Sequence, residues 1–125
     1  MNEPESRVLD PEDAKILTLA RGARARNDAL EGAAVRDDTG RTYVAIPVDL
    51  PALKLSALQV AIAMAVASGA RVLEAAAVVR GPGSEAAGLA EEELAAARDM
   101  KTAAVLLAGP EAAGPPDWTG VRRLV

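Results

Sequence analysis

A chain of 125 residues, half of them hydrophobic, amounts to one domain and is long enough to bury a core without disulfide or metal support. It holds no Cys and no His, which removes disulfides, thiolate nucleophiles, imidazole bases and the soft zinc ligands together. The net charge is −4 and the basic residues are scattered, whereas a nucleic-acid binder carries a basic face.

With 29 alanines, no Phe, one Trp and one Tyr, the core is expected to be aliphatic, with backbones in close approach. A metal site would need carboxylates, carbonyls and hydroxyls, and no acidic loop of the calcium-binding kind occurs. The N-terminus, "MNEPESRVLDPEDAK", is too acidic and polar for a secretion signal. The apolar run from Val60 to Ala67 is too short to span a bilayer. These features lead us to expect a cytoplasmic protein, one domain over 1–125. Residues 1–9 read as a loose N-terminal tail and 110–125 as a C-terminal tail.

In chain order, Asp10-Pro11-Glu12-Asp13 starts a helix: Asp10 caps it, Pro11 takes its first position, and acids fill the first turn. Ile16, Leu17, Leu19, Ala20, Ala23 and Ala25 carry it to Arg26-Asn27. Arg21, Arg24 and Arg26 sit in its last turns, matched to the helix dipole. A hairpin follows, with Leu30–Arg36 and Arg41–Val48 flanking the turn Asp37-Asp38-Thr39-Gly40. Asp37-Asp38 reads as a turn and not as a catalytic pair. Pro47 and Pro51 end the second strand, and a loop leads on.

The stretch "LSALQVAIAMAVASGA", Leu55 to Ala70, is a second helix. Ser56 and Gln59 form a capping box at its start and Gly69 stops it. Val72–Val79 reads as a central strand buried on both faces. The loop Arg80-Gly81-Pro82-Gly83-Ser84 then enters a third helix over Glu85–Met100, with Leu89 and Leu94 inward and Glu91-Glu92-Glu93 on a solvated face. Glycines before a helix can cradle a phosphate, but this spacing matches no phosphate or dinucleotide fingerprint. Ala103–Ala108 is another buried strand. The Pro/Gly-rich end closes with a short amphipathic piece around Trp118–Val125, where Trp118 is read as core packing or as a subunit contact. The order α-β-β-α-β-α-β predicts an α/β fold: a three-layer α/β/α sandwich with a mixed sheet.

These local sequences, in this order, resemble the cytidine deaminase family over residues 14–109. "EGAAVRDDTGRTYVAIPVD" is similar to that family's Val-Gly-Ala-Ala strand and Asp-Gly turn. "LSALQVAIAMAVASGA" resembles its Leu-Cys-Ala-Glu-Arg-x-Ala-Ile helix. "AAGLAEEELAAAR" is similar to its Cys-Gly-x-Cys-Arg-Gln-x-Leu helix start. The resemblance implies a zinc-bound hydroxide attacking C4 of cytosine, with a non-ligating Glu shuttling protons.

Placed on this chain, the first ligand position falls on Ser56 and the proton-shuttling Glu on Leu58. The two cysteines fall on Ala87 and Ala90, around a retained Gly88. Every ligand and the general acid–base are replaced, and no Cys or His exists to substitute for them. The resemblance therefore implies no catalytic residues, no metal and no cofactor at a degenerate zinc site. Leu58 and the two alanines are expected to fill the former metal cavity with apolar atoms. The family's ribose-binding Asn-x-Glu aligns with Pro47-Val48-Asp49. A remnant nucleoside pocket would draw on Asp49, Ser56, Gly83 and Ser84.

The expected function is a zinc-free, catalytically inactive deaminase-like protein with a structural, interaction or regulatory role. One alternative is a nucleoside binder using the remnant pocket, and another is a family enzyme using a different chemistry. The resemblance implies a homo-oligomer, tetramer or dimer. A nucleoside is the candidate ligand; neither nucleic acid nor membrane is expected as a partner.

Overall fold

The computed structural model describes residues 9–84, 88–115 and 118–125. Helix α1 (Pro11–Asn27) begins where the sequence places it. The Asp10 carboxylate accepts from the Glu12 amide at 2.8 Å, and Arg24 and Arg26 occupy the last turn. It buries Ile16, Leu17, Ala20 and Ala23.

The main sheet runs in the order β2 (Thr42–Ala45), β1 (Glu31–Asp37), β5 (Leu73–Arg80), β6 (Ala104–Ala108), β7 (Arg122–Arg123). Strand β1 is antiparallel to both β2 and β5, while β5 and β6 are parallel and joined through helix α3 (Glu91–Asp99). The sheet is therefore mixed, as its short hairpin and its helical crossover require. Alternation along the strands sorts the core into two clusters. Ala34, Ala75, Ala77, Val79, Ala104 and Leu106 face α1. Ala33, Val35, Ala76, Val78, Val105 and Leu107 face helix α2 (Ala57–Ala67) and α3. This is the three-layer α/β/α sandwich.

Gly32 sets the distance between α1 and β1. A Cβ there would lie 2.2 Å from the Ala20 carbonyl oxygen, so any side chain would push helix and sheet apart. Trp118 is 4% exposed and packs with the α1-facing cluster, as core packing would have it.

Four readings of the sequence change. The second strand ends at Ala45, because Pro47 has no amide to donate to a ladder. The expected loop after it is a small separate hairpin, β3 (Val48–Leu50) and β4 (Leu53–Leu55), turning at Pro51-Ala52. The third helix starts at Glu91 rather than Glu85; Gly88–Ala90 are non-helical, and residues 85–87 lie outside the described residues. Within the expected C-terminal tail, Arg122 and Arg123 pair with Leu107 and Leu106, adding an edge strand. Among the described residues no helix is long and apolar enough to cross a membrane.

Candidate functional site

The N-terminal ends of α2 and α3 meet the start of β1 and the end of β5, the place where the sequence positions of interest gather. Ser56 caps α2: its Oγ accepts from the Gln59 amide at 3.1 Å, and Gln59 Oε1 accepts from the Ser56 amide at 2.9 Å. The hydroxyl oxygen thus serves the helix as its cap. Leu58, in the first turn, is wholly buried in the core. Ala90 caps α3 without offering a side-chain acceptor, and Glu93 Oε1 instead accepts from the Ala90 amide at 2.9 Å. Ala87 lies outside the described residues.

The space between the helix ends is only partly apolar. Glu31, first residue of β1, accepts from the Ala57 amide at 3.0 Å through Oε2 and from Arg80 Nε at 3.2 Å through Oε1. Arg80 Nη1 donates to the Gly88 carbonyl at 2.7 Å. The two side chains are 12% and 6% exposed. One buried ion pair therefore ties α2, β1, β5 and the segment before α3 together. Ala90 is exposed and fills no cavity. The apolar filling expected of Leu58 and the alanines thus reduces, among the described residues, to Leu58. A buried carboxylate is tolerated here because a guanidinium and a helix N-terminal amide both answer it.

Sequence reasoning missed this pair. Its signal is that Glu31 and Arg80 are opposite each other in the β1–β5 register, which becomes visible only once the pairing is known. Glu93 also differs from the solvated face expected for it. It is 5% exposed, with Oε2 buried and without a partner, while Glu91 and Glu92 are exposed.

Of the positions expected for a remnant pocket, Ser56 lies at these helix ends, Asp49 on the small hairpin, and Gly83 and Ser84 in the turn after β5. Asp49 accepts from Lys54 Nζ at 2.8 Å across the small hairpin, its side chain 81% exposed. The hydrogen bond from Lys54 and the lysine's charge hold its carboxyl below the usual range. Gly83 is an exposed turn residue at φ +92°, and the Ser84 amide closes that turn on the Gly81 carbonyl at 3.2 Å. Neither of two cavities in the fold is lined by Asp49, Ser56, Gly83 or Ser84. One, of about 230 Å³, lies between the Asp37–Arg41 turn and the C-terminal end of α2. The other, of about 180 Å³, lies at the ends of β5 and β6.

This mixed-sheet sandwich, with two helix N-termini gathered at the end of the central strand, defines a class that known proteins share. A family model described as cytidine deaminase-like matches residues 9–112, and the chain belongs to that family. The fold is similar to that of cytidine deaminase from Burkholderia pseudomallei, at 21% identity and a TM-score of 0.66 over 87% of this chain and 88% of that one. It is also similar to that of cytidine deaminase from Mycobacterium leprae, at 19% identity and 0.61 over 87% and 90%. No curated protein matches the chain.

The family implies zinc, and the donor set present does not suit it. Ser56 is committed to its cap, Leu58 and Ala90 have no donor atom, and the chain holds no Cys or His. Among the described residues no three acidic side chains cluster closely enough to hold a metal. Glu31 is already neutralised by Arg80. No chemical step through a zinc-bound water can be built on these groups.

Proposed function

We propose that this chain is a zinc-free member of the cytidine deaminase-like family that does not deaminate and works as an assembly scaffold. The observation that carries this reading is the buried Glu31–Arg80 pair, lying between helix ends whose ligand-bearing positions hold Ser56, Leu58 and Ala90. An ion pair with its own hydrogen bonds presents no free carboxylate to a metal, and the α2 position of the family's proton-shuttling Glu holds Leu58.

The assembly half of the reading rests on α2. Its sequence, ALQVAIAMAVA, contains no charged residue. Nevertheless Ala63, Met64, Val66 and Ala67 are exposed, Met64 by 40% and Val66 by 50%. Leu50 and Leu53, at the tip of the hairpin leading into this helix, are 54% and 48% exposed. A contiguous uncharged helix face left in water marks a contact surface. The symmetric partner is a second copy of the chain, as a dimer or tetramer.

Sedimentation equilibrium on the full chain tests this. The wild type is expected to sediment as a dimer or tetramer, and Met64→Glu/Val66→Glu as a monomer that still melts cooperatively. A wild type that stays monomeric at high micromolar concentration removes self-assembly from the reading.

A further inference from the structure

Three features that the sequence offers separately meet at a second place in the fold. The arginines late in α1, the Gly-Pro loop after β5 and the lone tryptophan line one cavity of about 180 Å³. It opens at the carboxyl ends of the parallel strands β5 and β6, on the face covered by α1. That end of an open α/β sheet is where ligands are taken, because the loops leaving the strands create a crevice there.

The walls are cationic. Arg36, Arg80 and Arg98 each pair with a carboxylate. Among the described residues Arg21 and Arg24 pair with none, and Arg24 donates to the Ala29 carbonyl at 3.2 Å. No acidic side chain among the described residues lines the cavity, while the Arg80 charge is answered by Glu31. Glu111 folds its carboxylate over Gly109 but is exposed and outside the lining.

A glycine seats one guanidinium group, and the other lies against a second glycine. A Cβ on Gly81 would lie 2.2 Å from Arg24 Nη1, so the missing side chain is what lets Arg24 rest there. A Cβ on Gly114 would lie 3.4 Å from Arg21 Nε, in contact with it. In a protein with more acids than bases, two arginines that line one cavity and pair with no carboxylate among the described residues mark an anion site.

We propose that this cavity binds the phosphoryl group of a small anion, free phosphate or a phosphate monoester whose organic part stays outside. Two guanidinium forks suit the several oxygens of a tetrahedral oxyanion. The volume is below the roughly 300 Å³ at which pockets enclosing a whole organic ligand begin.

The test is a two-dimensional ¹H–¹⁵N NMR titration of the full chain with sodium phosphate, against sodium chloride at matched ionic strength. The indole signal of Trp118 and the amides of Gly81, Gly109 and Gly114 report directly from the walls. Saturable shifts confined to these signals are expected. Arg21→Gln should weaken them by about tenfold or more, the loss of one charge-assisted hydrogen bond. Arg26→Gln, an exposed arginine at the same helix end that does not line the cavity, should leave the affinity unchanged.

Phenyl phosphate distinguishes the sources. Tighter binding than phosphate assigns an ester, and equal or weaker binding assigns the free ion. Absence of saturable shifts at tens of millimolar phosphate overturns the proposal. So does equal weakening by Arg21→Gln and Arg26→Gln, since that reports diffuse charge attraction.

Discussion

At the residue scale, the energetics of the site turn on Glu31 and Arg80. Desolvating two charges is expensive, and hydrogen bonds from the Ala57 amide to Glu31 and from Arg80 to the Gly88 carbonyl add to the attraction that offsets that cost. Removing one partner strands the other in the core. Glu31→Leu or Arg80→Met alone is therefore expected to cost about 3–5 kcal/mol. The double substitution, which leaves no charge uncompensated, should be markedly less destabilising than the sum of the two singles. Urea unfolding of the four proteins checks this; strictly additive losses would mean that the two side chains act independently. Ser56 and Leu58 were legible in the sequence because each role depends on neighbours in the chain: a cap three residues from its partner, or an apolar residue on an inward helix face. Ala90, expected as apolar filling, is instead exposed at the start of α3. The ion pair was not legible, since 49 positions separate its members.

At the scale of elements, the first hairpin is held by its own turn. Asp37 is 3% exposed. Its Oδ1 accepts from the Thr39 amide at 2.9 Å, the Thr39 hydroxyl at 2.7 Å and the Arg41 amide at 3.0 Å, and Oδ2 accepts from the Tyr43 hydroxyl at 3.3 Å. Led by the Thr39 hydroxyl, these donors hold the carboxyl below its usual range against the opposing effect of burial. A carboxyl depressed in the fold contributes stability above its unfolded pKa, near 4, and loses it as pH falls through the folded value. Asp37→Asn should therefore cost about 1–3 kcal/mol at neutral pH. The gap to wild type should narrow as acid is added below about pH 4. Thermal melts across that range decide it, and a gap that holds constant into strong acid would contradict the assignment. The turn, both long helices and the central strands were readable from capping residues, glycines and apolar runs. The β3–β4 hairpin was not, because "VDLPALKL" alternates over only three residues on either side of its turn, too short a run to set it apart from a loop. The late start of α3 escaped too: the Glu93 side chain turned back on the Ala90 amide fixes it, and "AEEE" allows several starts.

At the scale of the whole molecule, the fold is that of the family, and the helix ends at its centre hold the buried Leu58 and the Glu31–Arg80 ion pair. The alanine-rich strands bring α1 close on one face and α2 with α3 on the other, and the Glu31–Arg80 pair links the ends of α2, β1 and β5. Fold class was legible because element order and apolar patterning are properties of the chain as a whole. The exposure of one face of α2 was not, because an uncharged helix reads the same whether its outer face meets core or water. The measurement that bears most directly on the central claim combines zinc and turnover. The purified chain is incubated with excess zinc, desalted, analysed for bound metal and assayed for conversion of cytidine and deoxycytidine to the uracil products. The account predicts far less than one zinc per chain and no product above a protein-free blank. Stoichiometric zinc together with product formation that is abolished by a chelator would contradict it.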